Sequence, residues 1–299
     1  MISKHKKLLL IDANNLCYRV FWTHKKLSYN GESIALLYGF FRSLISLKKR
    51  YSDHFFIIAW DGGSRRRKEE SQRAVEEGLI PSAYKANRKK DEIPEDLEAM
   101  FEQMDQLKED LDMLRLLQVW IKGYEADDVI YSYVQKHKEV CDEIVVVTSD
   151  RDFYQLLDDN VKIFDAMKDE VWSRERFVCE FDYEPALWVD AGALSGDSSD
   201  NIFGVEGWGP VTTNKYVSEF GGVDNILTAV ALKDKKSKKE QKLLSSVDRI
   251  RVAKSLKQMD EIEFIPKIRV TRKCEKSLVE KYFLNYRFVT LIKDIWRLI

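Results

Sequence analysis

Carboxylates at short, repeated spacings are the chemistry-bearing feature of this 299-residue chain. Gly123-Tyr124-Glu125-Ala126-Asp127-Asp128-Val129 places three acids in four positions, between an apolar run and the helical pattern Val129, Ile130, Tyr133, Val134. One acid in the first turn of a helix needs no explanation beyond the macrodipole. Three repel one another, and a fold accepts that mainly when a cation is expected. Further acids close apolar runs: Asp12 after Leu8–Ile11, Asp61 after Phe55–Trp60, Asp150 and Asp152 after Ile144–Thr148. Asp197 and Asp200 lie three apart in Ser195–Asn201, and become neighbours if that segment starts a helix. Each acid alone reads as a turn residue. Together, without His or Cys beside them, they suit a hard cation such as Mg²⁺, which takes carboxylate oxygens and keeps several waters.

The elements that must position these acids alternate. Lys7–Asn14, Phe55–Trp60, Leu117–Ile121 and Ile144–Thr148 read as four short buried strands. Between the first two, Asn30-Gly31 marks a turn, and Ile34, Leu37, Tyr38, Phe41, Leu44 and Ile45 follow at helical spacing. From Pro94, Leu97, Met100, Phe101, Met104, Leu107, Leu111, Leu114 and Leu117 trace one apolar stripe, expected to face a core rather than a groove. Strands alternating with helices imply a mostly parallel sheet covered on both faces, with ligands beyond the carboxyl ends of the strands. Asp12, Asp61 and Asp150 fall at such ends and Glu125 closely follows one, so four strand ends offer the same group to one rim.

Past Phe164 the pattern shortens. Gly204-Val205-Glu206-Gly207-Trp208-Gly209-Pro210 reads as a glycine turn followed by a helix start at Pro210, the build of a helix-hairpin-helix turn. Its outward N–H groups could seat a phosphate. Residues 222–299 read as helical, with a closing segment rich in aromatics (Tyr282, Phe283, Tyr286, Phe288, Trp296).

Net charge is −1, so no global basic character argues for a nucleic acid. The distribution is uneven. Residues 64–90 hold nine Lys/Arg against four Glu, net +5, and residues 233–242 hold six Lys against two acids, net +4. The ordinary reading of such runs is a solvated face. Hydrophobic residues make up 44% and charged residues 33%, the balance of a soluble globular protein. No apolar run reaches transmembrane length and the amino terminus is too short for a signal peptide. Cys17, Cys141, Cys179 and Cys274 are scattered, which argues against structural zinc and for a reducing compartment.

Taken in order, Ile11-Asp12-Ala13-Asn14-Asn15-Leu16 with Tyr18-Arg19, Trp60-Asp61, Ala83-Tyr84-Lys85-Ala86-Asn87-Arg88, the Glu125 segment, Thr148-Ser149-Asp150-Arg151-Asp152, Gly196–Ile202 and Gly204–Gly209 resemble the 5′-nuclease or flap-endonuclease family. That family includes the 5′-nuclease domain of bacterial DNA polymerase I and stand-alone bacteriophage 5′→3′ exonucleases. The resemblance runs from about residue 7 to about 227 and is too loose beyond about 230 for residue-level transfer. It implies an α/β fold: a PIN-like, mostly parallel sheet with a helical arch, then a helical helix-hairpin-helix (helix-three-turn-helix) DNA-binding region. The division implied is 1–190 for the nuclease domain, its arch at about 64–94, and 191–299 for the DNA-binding region and C-terminal helices.

The implied chemistry is two-metal phosphodiester hydrolysis, with two Mg²⁺ ions ~4 Å apart clamping the scissile phosphate and Mn²⁺ able to substitute. The resemblance places Asp12, Asp61, Glu125, Asp127, Asp128, Asp150, Asp152, Asp197 and Asp200 around these ions, with Asp128, Asp150 and Asp152 expected among the closest. Lys85 and Arg88, three apart on an expected arch helix, would bring in the phosphate and act with Asp128 in catalysis. Arg65, Arg66 and Arg67 are candidates to line the route of a single-stranded 5′ end. Tyr84, Gly204, Gly207, Gly209 and Lys215 complete the expected DNA contacts, and K⁺ at the glycine hairpin is a further candidate. The family's hairpin helix often carries Lys where Val211 stands, which shifts the phosphate contact to backbone N–H groups and Lys215. The substrate expected is DNA with a 5′ flap or 5′ end, or an RNA–DNA hybrid in RNase H-like primer removal. A single-strand-binding protein or polymerase is a candidate partner, no membrane is involved, and the cytoplasm of a bacterial or phage-infected cell is the expected location. No polymerase domain follows, so a free-standing nuclease is expected. A PIN-type ribonuclease on structured RNA and a non-catalytic DNA-junction binder are the alternatives.

Overall fold

Lys7–Asp12, Phe55–Ala59 and Glu143–Val147 are too apolar to leave a face to water. In the computed structural model, which describes residues 7–88, 95–263 and 275–298, they form the centre of a six-stranded sheet. The chain runs β1 (Lys7–Asp12), α1 (Ala13–His24), a small hairpin of β2 (Ser28–Tyr29) and β3 (Glu32–Ser33), α2 (Ala35–Arg50), β4 (Phe55–Ala59), α3 (Arg65–Glu76), α4 (Glu95–Met113) and β5 (Leu117–Val119). It continues through α5 (Ala126–His137), β6 (Glu143–Val147), β7 (Val161–Asp165), β8 (Glu170–Trp172), α6 (Arg174–Phe181) and α7 (Trp188–Ser195). Then come α8 (Pro210–Phe220), α9 (Val223–Ala231), α10 (Lys238–Leu244), α11 (Val247–Lys257), α12 (Lys276–Asn285) and α13 (Val289–Ile295).

The strand order is β5-β4-β1-β6-β7-β8, parallel except for β8. Asp12 pairs in register with Ala59, Ala59 with Val119, and Ile11 with Val147. The carboxyl ends of four strands therefore come level at one rim. After β5 the chain crosses β4 and β1 to lay β6 on the far side of β1. That reversal opens a crevice at the rim, where doubly wound sheets bind ligands.

Because side chains alternate along a strand, β1 feeds two cores. Leu9 and Ile11 join Phe40, Phe41, Leu107, Leu111 and the C-terminal Phe283, Phe288 and Ile295 on one face. Leu8 and Leu10 join Val129, Ile130, Tyr133 and residues of α7–α11 on the other. The last two helices thus return to the face that carries α1, α2 and α4.

Two expectations change. The stripe on α4 is core-facing at Met100, Met104, Leu107, Leu111 and Leu114, but its first half also borders the rim crevice through Leu97, Met100, Phe101 and Met104, with Phe101 47% exposed. Residues 84–88, expected on an arch helix, form a turn with Lys85 at φ +55°. Asp200 O accepts from Lys85 N (2.9 Å), Ser198 O from Asn87 Nδ2 (2.9 Å) and Ala83 O from Asn201 Nδ2 (2.6 Å), which staples this turn to the 197–201 loop. The rest of the expected arch comprises α3, a non-helical stretch at 77–83, and residues 89–94, the last of which lie outside the described residues.

Candidate active site

The crevice at the rim has a volume of about 1460 Å³, beyond the ~300–1,000 Å³ of small-molecule pockets. Eight of the nine candidate acids line it: Asp12, Asp61, Glu125, Asp127, Asp150, Asp152, Asp197 and Asp200. Backbone donors aim several of them. Asp12 caps α1, accepting from Asn15 N (3.1 Å), and accepts also from Thr148 Oγ1 (3.1 Å). Asp61 accepts from Ala126 N at the start of α5 (2.8 Å), and Asp150 from Asp152 N (2.8 Å). Asn14 and Asn15 pin the neighbouring loops by accepting from Asp61 N and Ser149 N (both 3.1 Å).

Asp12, Asp61 and Asp150 have no cationic partner among the described residues. Burial, then the Asp61 charge, pushes the Asp12 carboxyl up to about 7. Burial, then Asp152, pushes Asp150 up to about 6, and burial raises Asp61 as well. Carboxylates held together at this cost to their ionisation form a donor set short of positive charge.

The remaining acids are held by protein cations. Lys85 Nζ lies 2.6 Å from Glu125 Oε1 and 3.8 Å from Asp200 Oδ2, and Arg88 Nη2 donates to Asp200 Oδ1 (2.7 Å). Lys257 Nζ donates to Asp152 Oδ1 (2.5 Å) and Asp197 Oδ2 (2.9 Å). Burial raises the Asp197 carboxyl, yet the Lys257 charge together with hydrogen bonds from Ser199 and Lys257 outweighs it and holds it down to about 2. These contacts draw the acids aside, and among the described residues no three converge on one point as metal ligands. The donor chemistry nonetheless fits a hard divalent cation: oxygen ligands only, and nine carboxylates against four cations in contact with them.

Asp128 is the site residue that the structure moves. It is 2% exposed and does not line the crevice. As the third residue of α5 it accepts from Glu125 N (3.2 Å) in a capping box, from Arg67 Nη1 and Nη2 (3.1 and 2.8 Å) and from Asp260 N (2.8 Å). Its oxygens are committed to holding the fold.

The arginine run divides for a helical reason: consecutive residues point about 100° apart. Arg65 points out and, among the described residues, pairs only with Glu69 (2.7 Å). Arg66 is tied to Glu70, Asp260 and the end of α11. Arg67 is buried, donating to Glu125 Oε2 (2.8 Å), to Asp128 and to Leu256 O (3.1 Å). Of the three, only Arg65 remains open to a passing strand. Tyr84 is also buried, its hydroxyl within reach of Glu125 Oε2 (3.0 Å) and Asp200 Oδ2 (3.1 Å).

Gly207, at φ +81°, and Gly209, the N-cap of α8, are exposed at the hairpin, as is Lys215. Gly204 serves packing: a Cβ there would meet Gly196 N at 2.3 Å. Lys239 and Lys242 of the Lys-rich run reach the hairpin, donating to Thr212 Oγ1 (2.9 Å) and pairing with Glu206 (2.5 Å).

Sequence reasoning missed Lys257. The signal was there: it lies four and seven residues past Ala253 and Ile250, on the buried stripe of α11, where a lysine has to be paired.

Comparison with known proteins gives this geometry its context. The family model described as the 5′-3′ exonuclease N-terminal resolvase-like domain matches residues 7–182, and the 5′-3′ exonuclease C-terminal SAM fold matches residues 183–294. The 5′-3′ exonuclease of Aquifex aeolicus is 32% identical over 223 residues, 74% of this chain and 72% of that protein. The chain also matches bacterial DNA polymerases I, of which it spans about a quarter of the length. The T5 5′-exonuclease, solved with divalent metal ions (zinc) bound, superposes with a TM-score of 0.69 at 26% identity over 84% of this chain and 89% of that one. A T5 flap endonuclease complex with DNA and metal ions shares the fold over 98% of each chain, with a TM-score of 0.67 at 23% identity. With both family models matched end to end and the acid rim in one crevice, this chain belongs to the 5′-3′ exonuclease family.

Proposed function

We propose that this chain is a divalent-metal-dependent, structure-specific 5′ nuclease that hydrolyses phosphodiester bonds near 5′ ends or flaps of DNA, with Mg²⁺ as its working ion. The observation that carries the reading is the crevice itself: eight carboxylates from strand ends, the head of α5 and the loop after α7, three of them without a cation among the described residues, in a space fit for a polymer. Asp12, Asp61 and Asp150, with Glu125, Asp127, Asp152, Asp197 and Asp200 once their lysine and arginine contacts rearrange, would hold the ions. Bound there, Mg²⁺ supplies Lewis acidity toward the phosphate and a water acidified to the point of attack.

The chain's own groups do the rest. An acidic rim repels a polyanion, so the approach needs cations that can change partners. Lys85 and Arg88 stand at the mouth, and Arg88, 59% exposed at its side chain, can swing from Asp200 to a phosphate oxygen. Lys68 and Arg19 line the same crevice. Leu97, Met100 and Phe101 give one wall an apolar surface against which bases can lie. Backbone N–H groups at Gly207–Gly209 with Lys215 and Lys239 would hold the duplex away from the reacting phosphate. Such contacts read shape and charge and leave sequence unread.

A 5′-labelled DNA flap and its RNA counterpart, with and without Mg²⁺, test this on wild type and on Asp150→Asn. Asp150 is chosen because it lines the crevice without a salt bridge, so its loss leaves the fold's ion pairs in place. Mg²⁺-dependent cutting of the DNA flap near the junction is expected, reduced at least a hundredfold in the variant. Binding without cleavage in Mg²⁺ and Mn²⁺ would sink the enzymatic reading, and preferential cutting of the RNA flap would move the chain to the ribonuclease class.

A further inference from the structure

Lys257 is the least expected component of the site. It ends α11, 8% exposed, and its ammonium lies between two acids supplied by different segments, Asp152 after β6 and Asp197 after α7. Its approach is built. The side chain crosses α7 at Gly192, where a Cβ would meet Lys257 Cε at 2.9 Å, Cγ at 3.6 Å and Cδ at 3.7 Å. The backbone on either side is anchored. Leu256 O accepts from Arg67 Nε (3.1 Å), Lys257 O from Gln155 Nε2 (3.3 Å), and Gln258 O from Arg66 Nη2 (2.9 Å). The stem is therefore fixed at its root, and only the ammonium can move, by side-chain rotation.

We infer that Lys257 is a resident cation that occupies, between Asp152 and Asp197, the position where one divalent ion would be held, so that this ion binds in competition with the ammonium. The inference rests on the metal-dependent reading above. Asp12, Asp61 and Asp150 carry no such occupant, so the acids divide into an open group and a lysine-filled group. The first ion meets carboxylates that gain by its arrival. The second has to displace an ammonium that already satisfies both carboxylates. Lys257 is thus a positioning residue: it holds two ligands in place before the metal arrives and sets the concentration at which the second ion enters.

Mn²⁺ binding to the metal-free protein, followed by calorimetry and by the electron paramagnetic resonance of free Mn²⁺, tests this without DNA or turnover. Four proteins are compared: wild type, Lys257→Met, Gly192→Ala and Lys254→Met. Lys254 is on the same helix and pairs with Asp190 (2.7 Å), so its loss changes the net charge equally without touching the acid pair. Lys257→Met is expected to tighten the weaker Mn²⁺ site at least tenfold, about 1.4 kcal/mol. Gly192→Ala, which keeps the charge but pushes the stem aside, tightens it in the same direction by a smaller factor, and it keeps the test open should Lys257→Met not fold. Lys254→Met leaves it unchanged. A merely structural lysine would lower the melting temperature on removal but would not tighten the metal.

Unchanged or weaker Mn²⁺ binding in both Lys257→Met and Gly192→Ala overturns the inference, as does equal tightening in Lys254→Met. If wild type still cuts the flap with Mg²⁺ in that case, the proposed nuclease stands and only the role of Lys257 falls. A wild type that binds no Mn²⁺ removes both.

Discussion

Arg67 allows a sharp test of how the acid cluster is held. Its guanidinium side chain is 3% exposed and the Asp128 side chain beside it 2%. Replacing it with Met removes the donors to Asp128 and Glu125 and the cap on Leu256 O. Asp128 keeps the donors Glu125 N and Asp260 N but loses its only counter-ion among the described residues. Breaking one partner out of a buried ion pair costs ~3–5 kcal/mol, chiefly because the remaining charge stays buried. In a chain of this size that lowers the melting temperature on the order of 10 °C. Arg65→Met is the internal reference: Arg65 is 78% exposed with one ion-pair neighbour, on its own helix, and its loss is expected to leave the urea midpoint near that of wild type. Urea unfolding of the metal-free proteins, followed by circular dichroism, reads both. The decisive arm is the double variant Arg67→Met/Asp128→Asn, which removes the orphaned charge and is expected to recover at least half of the loss. An Arg67→Met protein within 1 kcal/mol of wild type, or a double variant no better than the single, would refute this account of the cluster.

Two further outcomes follow from burial elsewhere. Burial pushes the Asp110 carboxyl up to about 6, with the Tyr282 hydroxyl and Gln106 amide drawing it part of the way back. A folded value above the unfolded ~3.9 means that the fold prefers the neutral acid, so this stabilisation is full below pH ~3.9 and is lost as pH rises through about 6. Asp110→Asn should therefore match wild type at pH 4 and exceed it by about 1–2 kcal/mol at pH 8 in urea midpoints; a less stable variant at pH 8 would contradict the sign. At the hairpin, Gly204→Ala drives a Cβ to 2.3 Å from Gly196 N and 2.5 Å from Leu194 O, both backbone, and should cost ~3 kcal/mol or more. Gly209→Ala meets nothing within 4 Å and should leave stability within ~0.5 kcal/mol of wild type while weakening flap binding; equal stability losses in the two would show that packing is not what Gly204 provides.

How much of this was legible in the sequence depends on where each signal lives. Apolar runs are local, and the four expected strands and the rim at their carboxyl ends follow from them, three of the runs ending in an acid. Asp12, Asp61, Glu125, Asp127, Asp150 and Asp152 meet in one crevice because strand register brings the ends of β1, β4, β5 and β6 level. Asp197 and Asp200 are brought there by the contacts of their loop with residues 85–88 and Lys257. Asp128 differs because its environment is made by Arg67, 61 positions away, and by Asp260, 132 positions away, and no spacing announces either contact. Arg65, Arg66 and Arg67 read as one basic run in a linear chain. Wound into a helix, they become an exposed side chain, a tether and a buried counter-ion. Residues 84–88 missed their expected helix because tertiary hydrogen bonds to the 197–201 loop fix a turn, and helix propensity is too weak to resist that.

The boundary between the two matched family regions, at 182/183, therefore does not separate two independent pieces of chemistry. Asp197 and Asp200 come from the second region and face Asp150 and Asp152 of the first across one crevice. The segment from Ser255 to Ile262 crosses back and bonds to Arg66, Arg67, Asp128, Ser132 and Gln155. That strap is what lets the sequence afford three adjacent acids at the head of α5. Arg67 reaches them from α3, and the backbone N–H of Asp260 completes the shell of Asp128 from α11's far end. The first region alone would keep the donors that aim Asp12, Asp61 and Asp150 but would lack the Lys257 ammonium on Asp152 and the Asp260 N–H on Asp128. The second region contributes Asp197, Asp200 and Lys257 to the rim, and the backbone N–H of Asp260 to Asp128.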